Sequence, residues 1–413
     1  MAKKVNIIIG AAMSRCVNRG CEALAYSVIY LISQCLAKRG IVCDITLSDS
    51  GDTDIGKHEL SIQGERINYF SNCNIVYPFS GLHKWIFLLK LLLKPGHLLA
   101  ARQKAIHDVD YIFDIGGGDS FSDIYGVRRF EEVNSIYKLA RAYHKPYCVL
   151  PQTIGPFENA SVQEEAIKTI ESAGLVMTRD RQSYDYVREL VPQQKNVAEY
   201  IDVAFFLPYT RRSFSNDFIN VGLNVSALLW NGGYTKDNQF GLNVDYREVI
   251  RLVVARFLSI PNVKLHLVPH VNGSFRDIEN DYEVCYDICR EYSNSRLVLS
   301  DFFLGPVDAK NYIAGLDFFM GARMHSTIAA FSSCVPVVPM AYSRKFNGLY
   351  VDTLHYDHIV DLKVDTEEQV IETIMECFEN RAELMRAETT MMQTVVADAR
   401  ERIDADICKF MNV

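Results

Sequence analysis

Phe318-Phe319-Met320-Gly321 reads as a buried strand that hands Arg323 and His325 to the start of an apolar helix, Met324–Ser332. A guanidinium offers a planar fork to a carboxylate or phosphate. An imidazole two residues on can give or take a proton near neutral pH. The next apolar strand, Val335–Met340, runs into Tyr342-Ser343-Arg344-Lys345, so a second cation cluster follows on the next strand-end loop. An isolated histidine is usually structural. Arg-x-His at a strand-to-helix turn, with Tyr342 and Lys345 on the loop after it, points instead to an anionic substrate and a proton transfer.

Three further segments carry suitable groups. Asp114-Ile115-Gly116-Gly117-Gly118-Asp119 closes the apolar run Tyr111–Ile115. Consecutive glycines permit positive φ and let a ligand reach the backbone, which marks Gly117 and Gly118 as contacts and Asp119 as a carboxylate beside them. This is not the GxGxxG dinucleotide fingerprint, and no GxxxxGK(S/T) phosphate loop occurs in the chain. Arg179, in Thr178-Arg179-Asp180-Arg181, either presents its fork at another strand end or pairs with Asp180. Asn18-Arg19-Gly20-Cys21-Glu22-Ala23 lies between the first strand and the first helix. N–H groups at a helix start attract anions, and capping by Asn18 explains the same residues.

These loops need a scaffold. Apolar runs at Val5–Gly10, Ile41–Leu47, Tyr111–Ile115, Tyr147–Leu150, Leu175–Thr178 and Val197–Ala204 alternate with helical periodicity such as Leu24, Val28, Leu31, Ile32 and Cys35. The polar stretch Thr210–Asp217 interrupts the series, which restarts with strands at Ile219–Val225, Val263–Val268, Asp317–Met320 and Val335–Met340. Such alternation builds parallel sheets from βαβ units, and these sheets bind ligands outside the carboxyl ends of their strands. The expected fold is α/β, with two Rossmann-like domains facing a cleft. They would span residues 1–212 and 213–365, with a helical tail, 366–413, packing back on the first.

Composition narrows the function. The 413 residues are 49% hydrophobic with a formal net charge of −8, so no basic excess favours nucleic acid. Eleven cysteines form no CxxC pair. Cys285 and Cys289 lack a neighbouring His or Cys cluster, so no metal is expected. The apolar start stops at Gly10, short of the about 7–15 residues of a signal core, and the expectation is a cytoplasmic protein with reduced thiols. Trp85–Leu93 is the longest apolar stretch, below the about 20 residues of a spanning helix. It packs between layers or dips into a membrane interface.

GGGDSFSD, RDRQS and GARMHSTIAAFSSCVPVVPMAYSRK together resemble the polysaccharide pyruvyltransferase family, from about Val5 to Gly348. The GARMH…P…Y…K block is the most specific part. Cys21 departs from the pattern, standing where members often carry an acid. The resemblance implies a fold like the two-domain GT-B glycosyltransferases. It also implies transfer of the enolpyruvyl unit of phosphoenolpyruvate to a sugar, giving a pyruvate ketal and phosphate without a cofactor. Arg323, with Arg179 or Lys345, would clamp the donor's two anionic groups. His325 would protonate its methylene carbon and Asp119 would take the sugar hydroxyl's proton, with Gly117, Gly118, Asn18 and Tyr342 as further contacts. The acceptor would be a surface polysaccharide or its lipid-linked precursor, met at the inner membrane face through Trp85–Leu93. A nucleotide-sugar glycosyltransferase on the same fold and a non-catalytic carbohydrate-binding protein are the alternatives.

Overall fold

The computed structural model describes residues 4–48, 55–72, 75, 104–274 and 276–413. Trp85–Leu93 lies outside them. By its contacts the chain forms two units, one of residues 1–16, 24–203 and 399–413 and one of residues 17–23 and 204–398.

The first unit carries β1 (Lys4–Gly10), β2 (Val42–Ser48), β3 (Gly56–Ile62), β4 (Glu65–Ser71), β5 (Tyr111–Asp114), β6 (Tyr147–Gln152), β7 (Leu175–Thr178) and β8 (Val197–Glu199). They form one sheet in the order β3-β4-β2-β1-β5-β6-β7-β8. Only β3 runs antiparallel, on β4. Val5, Ile7, Ile8 and Ile9 of β1 are all buried, as a central parallel strand flanked by helices requires. The β3–β4 hairpin turns through Gln63 and Gly64 at φ 50° and 80°, the two positive values of a type I′ turn.

The second unit carries β9 (Ile219–Asn224), β10 (Val263–Leu267), β11 (Leu297–Leu299), β12 (Phe318–Gly321), β13 (Val337–Ala341) and β14 (Val360–Asp361). Their order is β11-β10-β9-β12-β13-β14 and every pairing is parallel. Its strands are nearly continuous apolar runs, Val221, Leu223, Val263, Leu265, Leu267, Phe318, Phe319, Met320, Val337 and Val338 being buried.

The break at Val203/Ala204 falls ahead of the 212/213 boundary read from the sequence. The polar residues there are bonded into the second unit. Thr210 N–H donates to Asn311 Oδ1 at 2.6 Å and Arg211 Nη2 to the Ser333 carbonyl at 2.9 Å. The helical tail divides as well. Helix Glu367–Glu379 stays with the second unit, where Phe378 packs edge-on against Phe257 and Phe318 at 5.1 and 5.5 Å. Residues 399–413, most of helix Ala397–Phe410, belong to the first. There Phe410 meets Tyr111 and Phe113 at 5.6 and 5.7 Å, and Tyr111 donates to the Met411 carbonyl at 2.6 Å. Full burial of such a ring contributes about 1.5–3 kcal/mol, and the half-buried Phe410 gains part of that.

Candidate functional site

In the second sheet, β9, β10 and β11 run one way from the middle and β12, β13 and β14 the other, so the order reverses between β9 and β12. Open α/β sheets bind ligands at such a point, outside the carboxyl ends. Arg323 ties the two strand ends together there, its N–H donating to Asn224 Oδ1 at 2.9 Å. Arg323 is the N-cap residue of helix Met324–Phe331, which places His325 in the first turn. The half-buried His325 ring rests on Gly20, where a Cβ would lie 2.5 Å from Nδ1. Glycine at position 20 is therefore what admits the imidazole.

The guanidinium of Arg323 is largely committed. Nη2 lies 2.9 Å from Asp281 Oδ1, Nε donates to the same carboxylate, and Nη1 reaches Glu279 Oε2 at 3.0 Å. These carboxylates hold its pKa above the usual range against the opposing effect of burial. With Nη2 also bonded to the Glu279 carbonyl, one Nη1 hydrogen is left for a ligand. Asp281, fully buried, does more than neutralise Arg323. It also accepts N–H bonds from Ala227 at 2.8 Å, His270 at 3.2 Å and Val271 at 3.1 Å. The loops after β9, β10 and β12 are thus fastened to one carboxylate.

The loop after β10 brings His270 into this cluster. Its carbonyl receives the N–H of Arg19 at 3.0 Å, and Asn272 N–H donates to the Val17 carbonyl at 2.9 Å. Among the described residues, neither ring nitrogen of His270 has a hydrogen-bond partner, nor do the side-chain ends of Asn272 or Arg19 Nε, though all three residues are buried. Burial, then the nearby His325, Arg323 and Arg19, hold the pKa of His270 well below the histidine range. Arg19 pairs with Glu22 in the first turn of helix Arg19–Ala37. Asn18 spends Oδ1 on the N–H groups of Gly20 and Cys21, at 2.9 and 3.4 Å, as a helix cap does.

Tyr342 and Lys345 follow β13. Tyr342 is packed against Phe240 and Phe346 at 5.1 and 5.6 Å, with Lys345 Nζ 5.9 Å from its ring. The second unit thus carries Arg323 and His325 after β12 and Tyr342 after the neighbouring strand β13.

The remaining candidates lie on the first unit, whose strand order reverses between β1 and β5. Gly116, Gly117 and Gly118 turn there at φ 54°, 59° and 93°. Beneath them Asp114 Oδ1 accepts from Gly116 N–H at 2.9 Å and Tyr137 Oη at 2.8 Å, and burial raises its pKa to about 7. Asp119 is half-buried and accepts from Tyr125 Oη at 3.0 Å. Arg179 lies against Gly118, where a Cβ would sit 3.1 Å from Nη1. It is 1% exposed, pairs with Asp202 at 2.8 Å and donates from Nε to Thr153 Oγ1 at 2.9 Å. Asp180 caps the helix Arg181–Leu190 and does not pair with it. So placed, Arg179 is buried beneath the glycine loop and braces it.

A family model for polysaccharide pyruvyl transferases matches residues 18–344. The chain belongs to this family. Membership makes it a polysaccharide-modifying transferase, and the matched span contains the strand-order reversal of the second sheet and the glycine loop of the first. No curated protein matches the sequence. Among solved structures, sucrose-phosphate synthase (tll1590) from Thermosynechococcus elongatus is 13% identical with a TM-score of 0.60, covering 99% of each chain. A putative UDP-N-acetylglucosamine 2-epimerase from Listeria monocytogenes is 11% identical with a TM-score of 0.60, covering 100% of this chain and 97% of that one. Anabaena Alr3699/HepE, in complex with UDP and glucose, is 12% identical with a TM-score of 0.57, covering 98% of this chain and all of that one (100%). The likeness is one of fold, the GT-B-like α/β class expected from the sequence.

Within this pyruvyl transferase fold, sequence reading missed Asp281, Glu279, His270 and Asn272. The first two open a helix in Glu279-Asn280-Asp281 and look like ordinary capping residues. His270 follows the strand Val263–Val268 directly, and the rule that carboxyl-end loops carry function could have found it. Among the described residues, no three His, Cys, Asp or Glu side chains gather as metal ligands.

Proposed function

We propose that the protein transfers the enolpyruvyl unit of phosphoenolpyruvate to a saccharide, forming a pyruvate ketal and releasing phosphate. The observation that carries this reading is the grouping of Arg19, Arg323 and His325 around one buried loop at the order reversal of the second sheet. A small donor with a carboxylate and a phosphate needs such a concentration of positive charge. His325 gives its proton to the methylene carbon, which leaves positive character on the adjacent carbon. A sugar hydroxyl adds to that carbon and gives up its proton, for which Asp119 on the first unit is the candidate. A second hydroxyl then attacks the same carbon. The bond to the phosphate oxygen breaks, its electron pair leaving with phosphate, which takes up the second hydroxyl's proton, and the ketal ring closes. Lys345 and Tyr342 contribute donor contacts, and Gly117 and Gly118 line the acceptor side.

Phosphoenolpyruvate serves here as a substrate, and the reading assigns no cofactor. It places the reaction in the cytoplasm, on a polysaccharide or its lipid-linked precursor. The test is incubation with phosphoenolpyruvate and a panel of saccharide and lipid-linked acceptors, reading phosphate release and product mass together. Phosphate release that requires acceptor, with a pyruvylated product, is the expected result. Consumption of a nucleotide sugar with no use of phosphoenolpyruvate would establish the glycosyltransferase alternative, which the fold likeness to the UDP-bound Anabaena structure favours.

A further inference from the structure

We propose that His270 and Asn272, with Arg19, form the subsite for the donor's phosphate, and that His270 takes up a proton as this anion enters. The inference rests on the phosphoenolpyruvate reading above and assigns groups that the motifs did not. His270 is 3% exposed and Asn272 7%. Between them they hold four buried polar atoms without a partner among the described residues, and Arg19 Nε is a fifth. Leaving such atoms unpaired costs free energy each time, and a sheet's carboxyl end is where a ligand would pair them.

The kind of ligand follows from the surroundings. The charged and titratable groups around His270 are Arg19 from the first helix and Arg323 and His325 from the turn after β12. Asp281 holds the His270 backbone, Glu279 pairs with Arg323, and Glu22 pairs with Arg19. These carboxylates are already engaged by arginines, so an incoming anion meets N–H donors. A neutral imidazole offers one N–H and one bare nitrogen. A phosphate monoester dianion offers only acceptors. Its two negative charges counter the cations that suppress His270's basicity, so the bare nitrogen gains a proton and both nitrogens become donors. The loop itself is anchored without these side chains, its backbone being bonded to Asp281, Arg19 and Val17.

The experiment is titration calorimetry of inorganic phosphate and of phosphoenolpyruvate into the full-length protein. It is run at pH 7.5 in buffers of different ionisation enthalpy, alongside melting curves. For wild type the expected result is net proton uptake on binding either anion. His270→Gln should bind both at least tenfold more weakly and take up no proton, with an unchanged or higher melting temperature. Asn272→Ala should weaken binding and keep the uptake. Wild type that binds phosphate without uptake, or fails to bind it, overturns the proposal independently of any variant. So does a His270→Gln protein with wild-type affinity or undiminished uptake. Failure of the pyruvyl reading looks different: phosphate still binds with proton uptake, but no acceptor-dependent phosphate release occurs.

Discussion

Replacing Asp281 by Asn tests whether one carboxylate organises the second unit's site. Asp281 is 0% exposed and holds five donors: the N–H groups of Ala227, His270 and Val271, and Nε and Nη2 of Arg323. An amide of the same shape keeps one oxygen. Either Ala227 and Arg323 Nη2 on the Oδ1 side, or His270 and Val271 on the Oδ2 side, then face an NH₂ group. The charge of Arg323, 9% exposed, also loses its main partner. Breaking a buried pair by removing one member costs about 3–5 kcal/mol. Glu279, 3.0 Å from Nη1 and with its side chain 26% exposed, still compensates in part, which favours the lower end. At about 2–4 °C per kcal/mol for a unit of this size, a loss of about 3 kcal/mol lowers the second unit's transition by about 6–12 °C. Scanning calorimetry reads this, with Asp245→Ala, which removes a solvent-exposed helix cap, as the control. That control should cost about 1 kcal/mol. A shift for Asp281→Asn no larger than the control's would refute the hub.

Other expected outcomes follow from the same geometry. Arg323→Ala should raise the KM for phosphoenolpyruvate or abolish binding, since a charge-assisted bond is typically about 1.5–3 kcal/mol. Arg323→Lys should rescue poorly, because an ammonium cannot meet Asp281 and Glu279 with a fork; wild-type KM in either variant contradicts this. His325→Gln should retain donor affinity and lose about 10²–10⁴ in kcat, so a loss confined to KM would make His325 a ligand and not the acid. Asp114 gives a pH dependence. Its pKa in the fold, about 7, stands above the ordinary 3.8. The native state therefore keeps a proton that the unfolded chain has released, and stability falls as pH rises from the lower value through the higher. Asp114→Asn should flatten the first unit's melting temperature across that window, and an unchanged slope would show that another group titrates there.

The parts of the site legible in the sequence share one property: they sit where apolar periodicity ends. Strand β12 is a continuous apolar run, so Arg323 and His325 are visible as what comes next, and the same logic exposes Gly117, Gly118 and Asp119 after β5. Both sheets and their parallel order follow from the same signal. The β3–β4 hairpin does not, because its strands pair at the rim of the sheet with many exposed polar positions, and its Gln-Gly turn is an unremarkable dipeptide. Motif reading also says little about what a visible arginine touches. Arg179 and Arg323 look alike as strand-end cations, yet the first is buried below the glycine loop beside Asp202 while the second is gripped by Asp281 and Glu279 at a helix N-cap. What separates them is a carboxylate distant in sequence, which no local pattern records.

The same reasoning explains why the grouping around His270 was invisible. Its members come from the first turn of the first helix, the loop after β10 and the turn after β12, residues 19, 270–272 and 323–325. None is unusual in its own segment. Their importance lies in what is missing: neighbours for polar atoms that are buried all the same. Burial without partners is costly enough that a fold retains it only where something else supplies the bonds. On that argument the unmatched donors of His270, Asn272 and Arg19 say more about the ligand than the nearly saturated guanidinium of Arg323 does. Arg323 then acts chiefly by holding His325 and the loop after β10 to a common frame, with its one spare hydrogen as a secondary contact to the donor.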